Sequence, residues 1–308
     1  MYDLIIAGSG PAGLSAAIYG KRAGLKLVVL EKAPMSGGQV LNTYEVDNYP
    51  GLPGINGFDL AVRLREHAEG LGTEFLETSM TGIAEEGTHK RVSTDQGELE
   101  ARTVILATGA VHALLGVPGE ERLTGKGVSY CATCDGAFFR GKAVAVVGGG
   151  DVALEDTAYL AALCEKVYLI HRRDEFRGAR ILQEALDKYS NVEILYSHVV
   201  EEILGGDAVE GIRLKNLKTG ESSELAAAGV FVAVGIRPGT ELVRNLVACD
   251  EGGYVLAGED CATDRPGIFA AGDIRRKPLR QIVTAVADGA NAAMAAAAYC
   301  RHEDGGKI

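Results

Sequence analysis

Cys131 and Cys134 stand two residues apart in the run SYCATCDG. That spacing closes a small loop, and one thiol of such a pair often has its pKa lowered to ~7 or below. A thiolate of that kind attacks disulfides and exchanges through a mixed disulfide. Two other readings compete. Zinc would need a second ligand pair, yet no second Cys-x-x-Cys is present and the six histidines do not cluster with this one. Two buried, inert thiols would need nothing more. Redox exchange fits the setting best, because Asp135 follows at once. A carboxyl beside a dithiol can carry the proton that one sulfur gains or loses, although Asp-Gly is also ordinary turn chemistry. The other cysteines, at 164, 249, 261 and 300, are scattered singly and read as core packing. A disulfide framework is not expected, since stapled secreted domains are shorter and denser in cysteine.

A second kind of chemistry is written twice. GSGPAG places Gly8, Gly10 and Gly13 in the G-x-G-x-x-G pattern, and GGGDVA places Gly148, Gly150 and Ala153 in the same positions. The first small residue allows a tight turn, the second lets backbone approach a pyrophosphate, and the third lets a helix pack close to its strand. Gly13 to Glu31 and Ala153 to His171 span the same 18 positions. The residues at the two ends differ. Glu31 can accept hydrogen bonds from a ribose diol. His171, Arg172 and Arg173, with Arg177 a helical turn on, would instead bind a 2′-phosphate through charge-assisted bonds. The first unit therefore suits an adenosine with free ribose hydroxyls, and the second suits NADPH in preference to NADH. A lone fingerprint of this kind can be a mere glycine-rich turn; two with matched spacing are a much stronger signal.

The elements that must position these residues are α/β. Apolar runs at 3–8, 25–30, 142–147 and 167–170 read as buried parallel strands, each fingerprint lying between a strand and a helix. Both units close on similar strands, at 104–110 and 230–236. A further buried strand over 267–275 and a long helix from about Gln281 have no counterpart in the second unit. The simplest topology is an insertion: residues 1–113 and 241–308 form one discontinuous domain, and 114–240 form a second domain inside it. The linkers should fall near GVPGEE and GIRPGTE, both turn-rich. The expected fold is two Rossmann-like, three-layer dinucleotide-binding domains. Glycine is 41 of 308 residues, nearly twice the usual ~7%, and without a collagen period this implies many tight strand-to-helix turns. The chain carries 31 basic and 42 acidic residues, a net charge of −11, which argues against nucleic acid and anionic membrane as partners. The opening MYDLIIAGSG has no basic leader, so no secretory signal is expected. The apolar stretch 290–300 reads as a helix too short to span a bilayer. No metal site is expected.

With CATCDG lying between two dinucleotide units, the second of which carries HRRDEFR, the chain resembles low-molecular-weight thioredoxin reductases from GSGPAG through GDIRRKPLRQIVTAVADGANAA. Glutathione-reductase-type enzymes are similar in scaffold but carry a wider-spaced cysteine pair near the N-terminus, absent here. The resemblance implies FAD in the discontinuous domain, held by Gly8, Ser9, Gly10, Pro11, Ala12, Gly13, Glu31, Gly38, Gln39 and Asn48. It places Asp273 on the ribityl and pyrophosphate part, and Arg280, Gln281 and Ile282 beside the flavin ring. A helix starting near Gln281 would aim its positive end where charge gathers on reduction. The inserted domain would hold NADPH through Gly148, Gly150, Asp151, Ala153, His171, Arg172, Arg173 and Arg177.

The implied activity is a relay: NADPH reduces the flavin, the flavin reduces a Cys131–Cys134 disulfide, and the dithiol reduces a thioredoxin disulfide. By the same match Cys134 faces the flavin, Cys131 attacks the partner, and Asp135 donates the proton. The resemblance also implies a swivelling NADPH domain, a homodimer and a cytoplasmic location. Phe138 and Phe139 suit a partner-docking role as exposed aromatics, with core packing as the alternative. Asp151 departs from the family's usual Asn and would put a negative charge near a pyrophosphate, modestly weakening NADPH binding. Two further functions stay open at this point. One is a dithiol flavoprotein of the same scaffold using another electron donor or another thioredoxin-like partner. The other is a redox-responsive dinucleotide-binding protein without significant turnover.

Overall fold

The computed structural model describes residues 1–43 and 46–303. The chain divides into two compact units, Met1–Val111 with Arg237–Ile308, and His112–Ile236. In the first unit, β1 (Tyr2–Ala7), α1 (Pro11–Arg22) and β2 (Leu27–Glu31) start a parallel sheet, followed by α2 (Gly57–Gly70) and β3 (Glu74–Glu77). A meander comes next, β4 (Met80–Glu86), β5 (His89–Thr94) and β6 (Gly97–Leu106). The strand β6 joins the parallel and antiparallel parts of one seven-stranded sheet. Its first half pairs antiparallel with β5, and its second half runs parallel beside β1. The apolar run VILATGA by itself suggests a strand over 104–110. It begins earlier because the polar run GELEAR, which hides it from an apolar search, is half-exposed in the meander.

The chain crosses to the second unit through β7 (Ala110–His112). There α3 (Glu120–Leu123), β8 (Val128–Ser129) and α4 (Ala132–Asp135) precede the second fingerprint, which joins β9 (Ala143–Gly148) to α5 (Asp151–Ala161). Next come β10 (Lys166–His171), α6 (Arg180–Leu186) and β11 (Val192–Tyr196). An antiparallel group, β12 (His198–Leu204), β13 (Gly211–Asn216) and β14 (Ser222–Ala226), leads to β15 (Gly229–Ala233). The five-stranded sheet runs β11-β10-β9-β15-β8 and is parallel throughout. Its side chains alternate between two cores. Val144, Val146 and Phe231 pack on α5, while Ala145, Val147, Val230 and Val232 pack on β12 and β13. Burial on both faces is why these strands read as unbroken apolar runs.

The return strand β16 (Ile236–Pro238) pairs with β7. The first unit then closes with β17 (Ile268–Ala270), parallel to β6, and α7 (Ile282–Glu303). The expected long strand over 267–275 is thus three residues, after which a 3₁₀ turn over Gly272–Ile274 redirects the chain. The long helix expected from about Gln281 is α7. Its span Ile282–His302 is long and apolar enough, by length and composition, to cross a membrane. It packs as a core helix: Ala292, Ala293, Ala296 and Ala297 are buried with Leu14, Ala16 and Ala17 of α1. Gly289 fits this crossing because a Cβ there would strike the Ala12 carbonyl. Each unit is a three-layer α/β domain, the second inserted into the first.

Candidate active site

The short strand β8 pairs with β15, through Val128 against Val230 and Ser129 against Phe231, and Val128 also bridges to Thr124. The dithiol therefore follows a strand, where the sequence reading placed it before the first one; two residues are too few to leave an apolar signature. Cys131 is extended, and one helical turn, α4, begins behind it. Ala132 of that turn is buried in the core and fixes it. Gly136 ends the turn against α5, where a Cβ would press on Tyr159 and Leu160. Cys131 and Cys134 are joined as a disulfide, with Cα atoms 5.3 Å apart. The Cys131 carbonyl accepts hydrogen bonds from the amides of Cys134 at 3.2 Å and Asp135 at 3.1 Å. Asp135 Oδ2 accepts the Ser129 hydroxyl at 2.6 Å, and the same Ser129 oxygen accepts the Cys131 amide at 3.1 Å. Burial pushes the Asp135 carboxyl above its ordinary pKa, and the Ser129 hydrogen bond opposes that rise without cancelling it. Raised in this way, the group keeps its proton to higher pH and suits an acid that must donate.

The two fingerprint turns are shaped by contact. Gly8 takes φ +106°, a conformation L side chains rarely adopt, and a Cβ there would strike the Ala107 carbonyl. A Cβ on Gly13 would strike the Gly8 carbonyl, so α1 could not lie so near β1. Around Gly10 the space is open. In the second turn a Cβ on Gly148 would strike Ala233 and the Ala153 methyl, while Gly150 is again open. Glu31 Oε2 accepts the amide of Ser9 at 3.0 Å and its hydroxyl at 2.6 Å. Those bonds lock the end of β2 to the first turn.

Residues 2–289 match the pyridine nucleotide-disulphide oxidoreductase family. The chain belongs to that family. It is 45% identical over 306 residues to a thioredoxin reductase of Peptoclostridium acidaminophilum, covering 97% of both chains. It is 44% identical over 300 residues to the thioredoxin reductase of Listeria monocytogenes, covering 97% of this chain and 94% of that one. The crystal structure of thioredoxin reductase from Streptococcus pyogenes superposes with a TM-score of 0.93 at 44% identity, over 98% of this chain and 99% of that one. The Cys131–Cys134 disulfide fits the redox-active disulfide of such an oxidoreductase. Membership implies a flavin and a nicotinamide cofactor.

The residues in the first unit fit a bound dinucleotide. Asp273 Oδ1 is buried without a hydrogen bond, and Arg280 Nε is a buried donor without an acceptor. A ligand bearing both hydroxyls and acceptor atoms would satisfy the two together. Burial pushes Asp273 up, with the Lys277 and Arg280 cations pulling against it. Gln281 lies just before α7 and accepts Asn48 Nδ2 at 2.9 Å, so residues 233 positions apart meet here. Ile282 opens the helix. Gln39 Nε2 donates to the Ala110 carbonyl, Gly38 begins a 3₁₀ turn, and Pro11 and Ala12 open α1.

In the second unit the residues divide. Arg172, Arg173 and Arg177 are exposed, and among the described residues none makes an ion pair. The amides of Arg177 and Gly178 bond the Gly149 carbonyl, at 2.8 and 3.2 Å, which holds Arg177 at the fingerprint turn. His171 behaves differently. It is 5% exposed, its ring fills the space beside Gly149, and Nε2 meets the Glu175 carbonyl at 3.0 Å. Burial, first, and the neighbouring arginines push its pKa down, so it packs as a neutral support under the turn. Asp151 also has a structural partner: Oδ1 accepts the Ala179 amide at 2.7 Å and pins the 177–179 loop.

Phe139 is not an exposed docking aromatic. It packs edge-on to Phe231, ring centroids 5.3 Å apart, in the core of the second unit. Three residues that sequence reasoning missed support the dithiol turn. Ser129 is one. The others are Tyr130, stacked on His112 at 5.2 Å, and the buried Glu120, which accepts the Tyr130 hydroxyl at 3.1 Å. Glu120 also accepts the amides of Leu115 and Gly116, at 2.9 and 2.8 Å. A buried polar cluster built by contacts across loops carries no periodic sequence signal.

Proposed function

We propose that this oxidoreductase is an NADPH-dependent thioredoxin-disulfide reductase that uses FAD. The observation that carries the reading is the Cys131–Cys134 disulfide with the half-buried Asp135 carboxyl one residue on, on a turn tied down by Ser129. When bound, the two cofactors supply the electron pair that reduces this disulfide. The first-unit residues Gly8, Gly10, Gly13, Glu31, Asp273, Arg280 and Gln281 are assigned to FAD. Glu31 retains acceptor capacity for a ribose diol beside its bonds to Ser9. Arg172, Arg173 and Arg177 are assigned to a 2′-phosphate, because unpaired guanidinium groups are free to make charge-assisted bonds.

In the outgoing half of the cycle, the Cys131 thiolate attacks one sulfur of the partner disulfide. A new S–S bond forms, the partner S–S bond breaks, and the departing partner thiolate takes a proton from Asp135. Cys134 then attacks Cys131 Sγ, which remakes the internal disulfide and releases the second partner thiolate. Asp135, reprotonated by the Cys134 thiol, supplies that proton too. Two electrons have left the dithiol; one of the two protons came from Cys134 and the other from Asp135, which ends this half of the cycle ionised. The assignment of Cys131 to the partner and Cys134 to the flavin side follows the family resemblance, as does a homodimer. Four cysteines stay unpaired as thiols, in keeping with a reducing, cytoplasmic setting.

The test is turnover with oxidised thioredoxin under NADPH and, separately, NADH. The reading predicts NADPH oxidation in step with thioredoxin thiol formation, much weaker turnover with NADH, and none for Cys131→Ser. A flavoprotein that NADPH fails to reduce, or that turns over with Cys131→Ser, would contradict it.

A further inference from the structure

We propose that Ser129 is a positioning residue that ties the Asp135 carboxyl to the backbone of Cys131 and couples the proton state of one to the hydrogen bonding of the other. The inference rests on Asp135 being the proton donor of the reading above. The Ser129 hydroxyl has one hydrogen and two lone pairs. It has three partners: the Cys131 amide at 3.1 Å, Asp135 Oδ2 at 2.6 Å, and the Cys131 carbonyl at 3.3 Å. The amide can only donate, so it occupies one lone pair in every state. The single hydrogen must choose between the carboxylate and the carbonyl.

Both proton states of Asp135 can be satisfied by turning that one hydroxyl. With Asp135 ionised, the hydroxyl donates to Oδ2, the shorter contact. With Asp135 protonated, the carboxyl O–H donates to the second lone pair of Ser129, and the serine hydrogen swings to the Cys131 carbonyl. No proton leaves Ser129 in either direction. The Cys131 carbonyl already accepts from the amides of Cys134 and Asp135. The turn that carries both sulfurs is therefore bonded differently before and after Asp135 gives up its proton to a departing thiolate. Ser129 is 5% exposed and fixed in β8 against Phe231, so its backbone holds the hydroxyl in place.

The titratable groups near the turn are Tyr130 on the β8 side and Asp151, Glu155, Asp156 and Tyr159 on α5, the helix packed behind it; β15 contributes none. The Asp135 carboxyl is governed by burial, which raises its pKa, and by the Ser129 bond, which lowers it.

The experiment uses the FAD-loaded enzyme as wild type, Ser129→Ala and Ser129→Thr. The carboxylic-acid C=O stretch of Asp135, assigned by its loss in Asp135→Asn, is titrated by infrared difference spectroscopy. The alkaline limb of turnover with a chromogenic aryl disulfide is measured alongside. Ser129→Ala removes a bond from both states, but the bond to the charged form is the stronger, so the Asp135 titration should rise by about one pH unit. The alkaline limb should move up with it, because the acid stays protonated longer. Ser129→Thr, which keeps the hydroxyl, should restore both. A stretch that titrates at the wild-type pH in Ser129→Ala, or a Ser129→Thr titration displaced from wild type, overturns the inference. A displaced stretch with an unmoved turnover limb upholds the hold of Ser129 on Asp135 and instead removes Asp135 from the reaction.

Discussion

Asp288→Asn should destabilise the first unit far more than its isosteric shape suggests. The Asp288 carboxylate, on α7, accepts Arg275 Nη2 at 2.6 Å and Nε at 2.9 Å, Lys277 Nζ at 3.0 Å, and the Gly272 amide at 3.0 Å. The Lys277 and Asp288 side chains are only 4% and 6% exposed, so water screens little of this. Burial alone would push Asp288 up, but the Arg275 hydrogen bonds and the Lys277 charge outweigh it and hold the carboxyl below its ordinary range. An amide in its place leaves the half-buried Arg275 without its anion and Lys277 with only the Asp273 carboxylate at 3.6 Å, and it points donor hydrogens at donors. Breaking a buried pair from one side costs about 3–5 kcal/mol. For a unit of this size that is a fall in melting midpoint of roughly 6–20 °C.

Calorimetry of wild type and variant at equal, saturating FAD measures it. The pH dependence carries a sign. A depressed carboxylate contributes its stability above the unfolded value of about 3.9 and loses it as pH falls through the folded one. The gap between the two proteins should thus be constant from pH 8 to about 5 and close only below about 4. A fall in midpoint under about 3 °C, or a gap already closing near pH 6, would refute the reasoning.

Three other outcomes follow from the geometry. Arg173→Ala should raise the Michaelis constant for NADPH about ten- to hundredfold, the worth of hydrogen bonds to a charged group, and leave that for NADH unchanged in steady-state kinetics. Phe139→Ala should cost about 2–3 kcal/mol by leaving a space against Phe231; denaturant unfolding would show it, while turnover of folded enzyme with thioredoxin and with an aryl disulfide should fall alike. Gly13→Ala should weaken FAD retention at least tenfold in fluorescence titrations, because the methyl must push α1 away from the Gly8 carbonyl.

The parts of the fold legible in the sequence were those with a period or a long apolar run. The strands Tyr2–Ala7 and Ala143–Gly148 are buried on both faces and announce themselves. The antiparallel layers did not, since strands such as Ser222–Ala226 are short and mostly exposed. The dithiol was legible because its chemistry lies in residue type and spacing. What lay hidden were contacts made in three dimensions. Sequence alone suggested that Asp151 would repel a pyrophosphate, and it could not show the Ala179 amide that its carboxylate accepts. His171 matched a reader position, yet its ring turns inward to Gly149. The 290–300 stretch looked short because polar Asp288, neutralised inside the core by Arg275 and Lys277, interrupts the apolar run that the helix continues.

On the reading proposed above, the Cys131–Cys134 disulfide exchanges electrons with the flavin. An anaerobic titration of the purified flavoprotein with NADPH, counting equivalents against flavin absorbance, tests it most directly. A flavin and a disulfide are each two-electron centres, so complete reduction of wild type should take about two NADPH per flavin, and Cys134→Ser should drop the count to about one. A wild-type titration that is complete at about one would show that the disulfide is not in redox contact with the flavin.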